Sequence, residues 1–169
     1  AMNSMASNET NRVRVELGER SYDIVIGPGL LQRAGEFLQP LKLGKRGIII
    51  TDSNVAPLYA EQLREALKRA GYETEVLDLP AGETSKSLRQ ANRLFEKLPA
   101  LHVDRQSFVI ALGGGVVGDL AGFVAAAYLR GLALIQMPTS LLAQVDSSVG
   151  GKTGVNLPQG KNLVGSFYQ

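Results

Sequence analysis

The chain has 169 residues, 44% of them hydrophobic and 20% charged, with a net charge of +2, the length and composition of one globular domain with a single core. That charge is too small for a basic nucleic-acid-binding face, and no basic run supports one. The absence of cysteine excludes disulfides, thiolate metal sites and cysteine nucleophiles from this chain, and its one histidine, His102, excludes a histidine-rich metal centre.

Residues 1–11 are polar, lack the apolar core of a signal peptide, and read as a tail. RVRVEL (12–17) and YDIVI (22–26) are β-rich and joined by turn residues, which predicts an N-terminal hairpin. GLLQRAGEFLQPL (29–41) has helical spacing, and RGIIIT (46–51) is an apolar run with the length of a buried strand. A helix is expected over 55–70, with Leu58, Leu63, Ala66, Leu67 and Ala70 on one face and Gly71 as its stop.

TEVLDL (74–79) reads as the next strand, 87–98 as a helix stopped by Pro99, and SFVIAL (107–112) as a third buried strand. His102 falls between the last two and is expected on a surface loop. Residues 116–129 form a small-residue helix, apolar on most sides. LALIQM (132–137) is a fourth strand ended by Pro138, and SLLAQV after it is a short helix. No apolar run reaches the roughly 18–20 residues needed to span a bilayer. The nearest, 120–137, is broken by Arg130 and Gly131, and a reducing cytoplasm is the expected compartment.

Strands alternating with helices predict βαβ units and a Rossmann-like parallel sheet with flanking helices. Ligands of such sheets bind at the carboxyl ends of the strands. Asp52, Glu83, Gly113 and Thr139 fall at four successive ends.

Gly113 to Gly118 is a literal GxGxxG between a strand and a helix. Glycines there let the backbone approach a pyrophosphate, and the helix start offers free N–H groups. A tight turn without ligand is the alternative. The acid expected about 20 residues later is missing. Asp52 at an earlier strand end is the candidate ribose acceptor, a role compatible with capping the helix that follows. Asp119 is read either as a cap in the helix's first turn or as an acceptor facing a cofactor.

Asp146 to Thr153 nearly matches the phosphate-binding GxxxxGK[ST] pattern, but Asp146 stands where glycine should be and the preceding residues look helical. Lys152 and Lys161, nine residues apart in apparent glycine-rich loops, suit a phosphate or polyol pocket or are exposed loop lysines. Arg130 either caps its helix or reaches an anion.

Together GGGVVGDLAGF (113–123), YLRG (128–131), MPTSLLAQVDSSVGGKTGVN (137–156) and GKNLVGSFYQ (160–169), with TDSN (51–54) and GETSK (82–86), resemble the 3-dehydroquinate synthase family of the shikimate pathway. The resemblance runs from about residue 12 onward and implies an NAD-binding N-terminal domain over 12–169. It implies conversion of 3-deoxy-D-arabino-heptulosonate 7-phosphate into 3-dehydroquinate and phosphate, using NAD and a divalent metal, zinc or cobalt. NAD would transiently oxidise a ring hydroxyl, easing loss of phosphate, and take the hydride back before ring opening and aldol closure.

The resemblance also implies residue roles. Asp52 and Asn54 would contact adenosine, and Glu83 and Lys86 would line the cofactor cleft. Gly114, Gly115 and Val116, with Gly118 of the same motif, would lie against the pyrophosphate. Asp119, Thr139, Ser140, Leu142 and Lys161 would complete the cofactor site. Ser140 keeps the hydroxyl of the family's usual threonine, and Ala81 replaces a frequent aspartate. Asp146 and Lys152 would lie between cofactor and substrate, and Lys152 and Asn162 would bind the substrate's phosphate end. Arg130 would reach a neighbouring subunit's site, making the protein a homodimer. The metal ligands, a glutamate and two histidines, would belong to a second, helical domain outside this chain, which alone is expected to be inactive. Partners would be the phosphorylated sugar acid and that domain, with no nucleic acid and no membrane. The alternatives are a domain of a related sugar-phosphate cyclase or metal-dependent polyol dehydrogenase, or a non-catalytic nucleotide-binding module.

Overall fold

A computed structural model describes residues 9–169. Most of the expected tail lies outside the described residues. Asn11 already begins β1 (Asn11–Val15), which pairs antiparallel with β2 (Tyr22–Ile26), and Arg33 Nη1 donates to Thr10 Oγ1 at 3.3 Å. The expected long helix over 29–41 is reduced to α1 (Ala34–Leu38) followed by one 3₁₀ turn.

The core is a four-stranded parallel sheet in the order β4-β3-β5-β6, built from β3 (Arg46–Asp52), β4 (Glu73–Leu79), β5 (Phe108–Gly113) and β6 (Ala133–Pro138). Alternation along β3 and β5 divides the core into two layers. Ile49, Phe108, Ile110 and Leu112 pack with α1 and α2 (Glu61–Arg69). Ile48, Ile50, Val109 and Ala111 pack with α3 (Leu88–Lys97) and α4 (Gly115–Ala127). These strands are near-continuous apolar runs because both faces are covered.

Chain direction sets the site. From β3 the chain crosses by α2 to β4 on one side, then returns by α3 to β5 on the other side of β3. A right-handed crossover places α2 and α3 on opposite faces when the direction reverses. The carboxyl ends of β3 and β5 therefore flank a topological switch point, where open α/β sheets leave a crevice.

Two local findings depart from the sequence reading. The first turn of the 55–70 helix, Ala56–Ala60, is π-helical and contains Pro57. The wider turn rotates Leu58 off the apolar face, leaving it 66% exposed while Leu63, Ala66 and Leu67 are buried. The larger correction is at 152–167, expected as glycine-rich loop. The segment is an antiparallel hairpin of β7 (Lys152–Leu157) and β8 (Gly160–Phe167), laid along α4 after α5 (Leu141–Val145). Gly154 and Gly165 face each other across it, and a Cβ on Gly165 would sit 2.1 Å from the Thr153 carbonyl oxygen. These glycines permit close strand approach rather than a turn. No described helix is long and apolar enough to cross a membrane.

Candidate functional site

At the end of β5 the chain turns through Gly114 into α4, whose N-terminus has no side-chain cap. The first N–H groups of α4 therefore point into the switch-point crevice unpaired with any side chain, and no acid occupies the first turn. This is the chemistry a pyrophosphate needs. Gly114 and Gly115 keep the approach free of side chains. A Cβ on Gly114 would meet the Ser140 hydroxyl at 3.6 Å, and one on Gly115 the Ser147 hydroxyl at 3.3 Å.

Across the crevice, Asp52 ends β3. Its Oδ1 accepts from the N–H groups of Asn54 and Val55, both at 2.9 Å, and so holds the turn that leads into the helix starting at Ala56, while Oδ2 takes neither bond. Asn54 is exposed beside it. Ser53 fastens this end to the next loop, because its hydroxyl accepts from Ala81 N–H at 3.0 Å.

The capping reading of Asp119 does not hold. α4 begins at Gly115, so Asp119 lies beyond its first turn, and its carboxylate pairs instead with Lys86. Lys86 Nζ lies 2.6 Å from Asp119 Oδ2, with the two side chains 7% and 19% exposed. The same ammonium donates to Asn162 Oδ1. Burial raises the Asp119 carboxyl above its ordinary value. The hydrogen bond and charge of Lys86 oppose the rise, and the negative charges of Glu83 and Asp146 add to it. A buried ammonium shared between a carboxylate and an amide is costly to break, since removing one partner leaves an unpaired charge.

The hairpin closes this network. Asn156, on β7, donates from Nδ2 to Glu83 Oε1 at 3.0 Å and accepts from Asn162 N–H on Oδ1 at 2.9 Å. Its own N–H donates to the Lys86 carbonyl at 2.8 Å. Sequence reasoning gave Asn156 no role. The signal was a lone amide in an otherwise apolar and glycine stretch. Gln136 was missed in the same way. It is a polar residue inside the apolar β6, and its Nε2 donates to the Gly118 carbonyl at 3.2 Å.

On the β6 side, Thr139 N–H donates to the Gly113 carbonyl at 3.0 Å, and the Ser140 hydroxyl caps α5 by accepting from Ala143 N–H at 3.2 Å. Leu142 is 72% exposed beside the glycine turn. Val116 is half-buried in the first turn of α4, while Asp146 and Lys161 are exposed.

Arg130 is not brought to this cleft, since it lies beyond the far end of α4, about 20 Å along a helix of this length. Lys152 starts β7 opposite Phe167, about 13 Å of extended chain from Asn156, and its neighbour Thr153 packs against Gly122, about one turn along α4 from Asp119. The end of the chain ties the hairpin to the strand that follows Arg130. Tyr168 N–H donates to the Gly151 carbonyl at 2.7 Å, and the Tyr168 hydroxyl donates to the Leu132 carbonyl. Arg130 is exposed in a left-handed conformation, as is Leu129 before it, in the last turn after α4. His102 is exposed on its loop, as expected.

Among the described residues no three His, Cys, Asp or Glu side chains gather to hold a metal ion. The divalent metal implied by the sequence resemblance therefore does not fit this chain's own residues. NAD does fit them, at the uncapped α4 N-terminus facing Asp52.

Comparison with known proteins matches residues 76–169 to the family described as 3-dehydroquinate synthase N-terminal. The chain is 57% identical over 157 residues to the 3-dehydroquinate synthase of Desulforamulus reducens, covering 93% of this chain and 44% of that protein. Among solved structures it is similar to a 2-deoxy-scyllo-inosose synthase complexed with carbaglucose-6-phosphate, NAD+ and Co2+ (TM-score 0.86, 31% identity, 94% of this chain and 43% of that one). It is also similar to the 2-epi-5-epi-valiolone synthase of Streptomyces hygroscopicus subsp. jinggangensis 5008 with NAD+ and Zn2+ bound (TM-score 0.78, 34% identity, 91% and 42%). The chain thus spans less than half the length of these relatives.

Proposed function

The chain belongs to the 3-dehydroquinate synthase N-terminal family, and from that membership we propose that it is the NAD-binding part of a 3-dehydroquinate synthase. The reaction is conversion of 3-deoxy-D-arabino-heptulosonate 7-phosphate to 3-dehydroquinate and phosphate. The observation that carries the reading is the Lys86–Asp119–Asn162 contact beside an uncapped helix start at the switch point. It places a carboxylate suited to a cofactor and an amide suited to a phosphorylated substrate on one ammonium.

In this reading the first N–H groups of α4 hold the pyrophosphate, with Gly114, Gly115 and Gly118 keeping the backbone close and Val116 packing beside it. Asp52 accepts from a ribose hydroxyl through Oδ2, next to Asn54. Thr139, Ser140 and Leu142 form the opposite wall, and the apolar Leu142 excludes water from the cofactor's flat faces. Bound NAD supplies a reversible hydride acceptor. Lys86 keeps the Asp119 carboxylate oriented, and Glu83 braces the loop that carries Lys86. Asp146, Lys161 and Asn162 face the space between cofactor and substrate, with Asn162 toward the phosphate.

Lys152 joins Asn162 toward the phosphate, and Arg130, exposed beyond the far end of α4, serves a neighbouring subunit in a homodimer. What supports the second role is the distance of Arg130 from the cleft of its own chain. No catalytic step is derived through a metal, because the described residues offer it no site. We therefore propose that the chain binds NAD but does not turn over alone. Calorimetric titration with NAD, together with a phosphate-release assay, tests both parts. Binding without phosphate release is expected. Phosphate release by the chain alone contradicts the reading, and steady NADH production from a polyol points to a dehydrogenase instead.

A further inference from the structure

The β7–β8 pairing contains a bulge. Val155 faces Val164 and Leu157 faces Gly160, so the single residue Asn156 opposes the three residues 161–163. Bulges re-aim side chains beside functional sites and leave ladder groups unpaired. Here Asn162 sits in the bulge with φ 55, a left-handed conformation that asparagine tolerates better than most residues. Its freed N–H is taken by the Asn156 side-chain carbonyl.

The other half of the same amide donates to Glu83, and the Asn156 backbone N–H donates to the Lys86 carbonyl. A parallel bridge joins Asn156 to Ser87. One residue thus fixes the bulge that carries Asn162, the turn that carries Glu83 and the backbone that carries Lys86. All three points bear on where the Lys86 ammonium lies.

We infer that Asn156 is a positioning residue, whose side-chain amide locks the Asn162 bulge to the Glu83–Lys86 turn and so places the Lys86 ammonium between Asp119 and Asn162. Asn156 bonds neither the Lys86 ammonium nor the Asp119 carboxylate, and acts through the Asn162 and Lys86 backbone and the Glu83 side chain. Truncating it frees the bulge and the turn together. Lys86 then leaves Asp119, and the rise in the Asp119 carboxyl caused by burial loses its main opponent.

The inference concerns the ligand-free chain, and only its second readout rests on the proposed cofactor site. The first readout is titration of the Asp119 carboxyl by carbon NMR in wild type, Asn156→Ala, and the pair Asn156→Asp and Asn156→Asp with Glu83→Gln. Asn156→Ala is expected to move the Asp119 midpoint upward. Asn156→Asp keeps the acceptor for Asn162 but sets a carboxylate against Glu83. Adding Glu83→Gln restores a donor–acceptor pair of reversed polarity at unchanged net charge, and is expected to return the midpoint toward wild type. A loss of packing alone would not be reversed in this way. The second readout is calorimetric NAD affinity, expected to weaken about tenfold in Asn156→Ala, as for loss of one well-formed charge-linked contact. An Asp119 midpoint unchanged in folded Asn156→Ala, or one that Glu83→Gln fails to restore, overturns the inference. If the wild-type chain does not bind NAD, the cofactor reading falls while the Asp119 titration still decides this one.

Discussion

Lys86 is 6% exposed, an unusual burial for a lysine, and among the described residues its ammonium bonds Asp119 and Asn162. Replacing it with methionine keeps the volume and leaves Asp119 without its cation. Lys86→Met is expected to destabilise the fold by about 3 kcal/mol near neutral pH, the lower range for breaking a buried pair, as read by chemical denaturation. The sign with pH follows from the raised Asp119 carboxyl. A group whose folded-state pKa is raised favours the fold in its protonated form. That contribution is complete below the unfolded value and lost as pH rises through the folded one. Lys86→Met raises the folded value further. Its stability deficit should therefore be small in acid and grow as pH climbs through and above the carboxylate range. A deficit independent of pH contradicts the pairing. The sequence marked Lys86, Asp119 and Asn162 separately through motif resemblance, but nothing in their spacing of 33 and 43 residues says they meet at one nitrogen. That convergence is a product of the β7–β8 bulge, which no local pattern announces.

At the level of elements, the strands were legible because they are short runs bounded by turn residues; burial on both faces makes the central β3 and β5 nearly all apolar, while the edge strand β4 alternates exposed Glu73, Glu75 and Asp78 with buried residues. α3 was legible from the Pro99 that stops it, and the structure adds a cap at Ser87. Ser87 accepts from Gln90 N–H at 3.2 Å, and Pro99 follows the helix. Ser87→Ala is expected to cost about 1 kcal/mol by thermal unfolding. NAD binding should change little, because the Ser87–Asn156 bridge in the wall of the cleft is made by the backbone. The hairpin was illegible because glycine carries two meanings. At Gly150 and Gly151, with φ of 92° and 73°, it marks a turn, while at Gly154 and Gly165 it marks strands too close for a Cβ. Gly47 belongs to the second kind, since a Cβ there would fall 2.2 Å from the Phe108 ring. Gly47→Ala should lower stability by about 1–3 kcal/mol or more through overpacking. The loss is expected without change in NAD affinity, since the clash lies at the amino end of the sheet.

For the whole molecule, strand order decides function. The reversal between β4 and β5 opens the crevice, and the chain then places an uncapped helix start on one lip and Asp52 on the other. The alternation of strands and helices made the parallel sheet legible, but the order β4-β3-β5-β6 required coordinates, and with it the reason Asp52 faces the glycine turn although it precedes it by some 60 residues. The same view explains why Arg130 stands apart. α4 is a rigid rod between the glycine turn and Arg130, so this cation stands apart from the cleft, while the hairpin laid along α4 brings Thr153, next to Lys152, against Gly122 about one turn from Asp119. NAD binding across the switch point on the α4 N-terminus is the proposal on which the rest depends, and amide chemical-shift mapping during NAD titration of this chain tests it. The largest shifts are expected at Gly114 to Val117, Asp52 to Asn54 and Asp119, with little change at Arg130. Absence of saturable shifts, or shifts centred away from the carboxyl ends of β3 and β5, would contradict it.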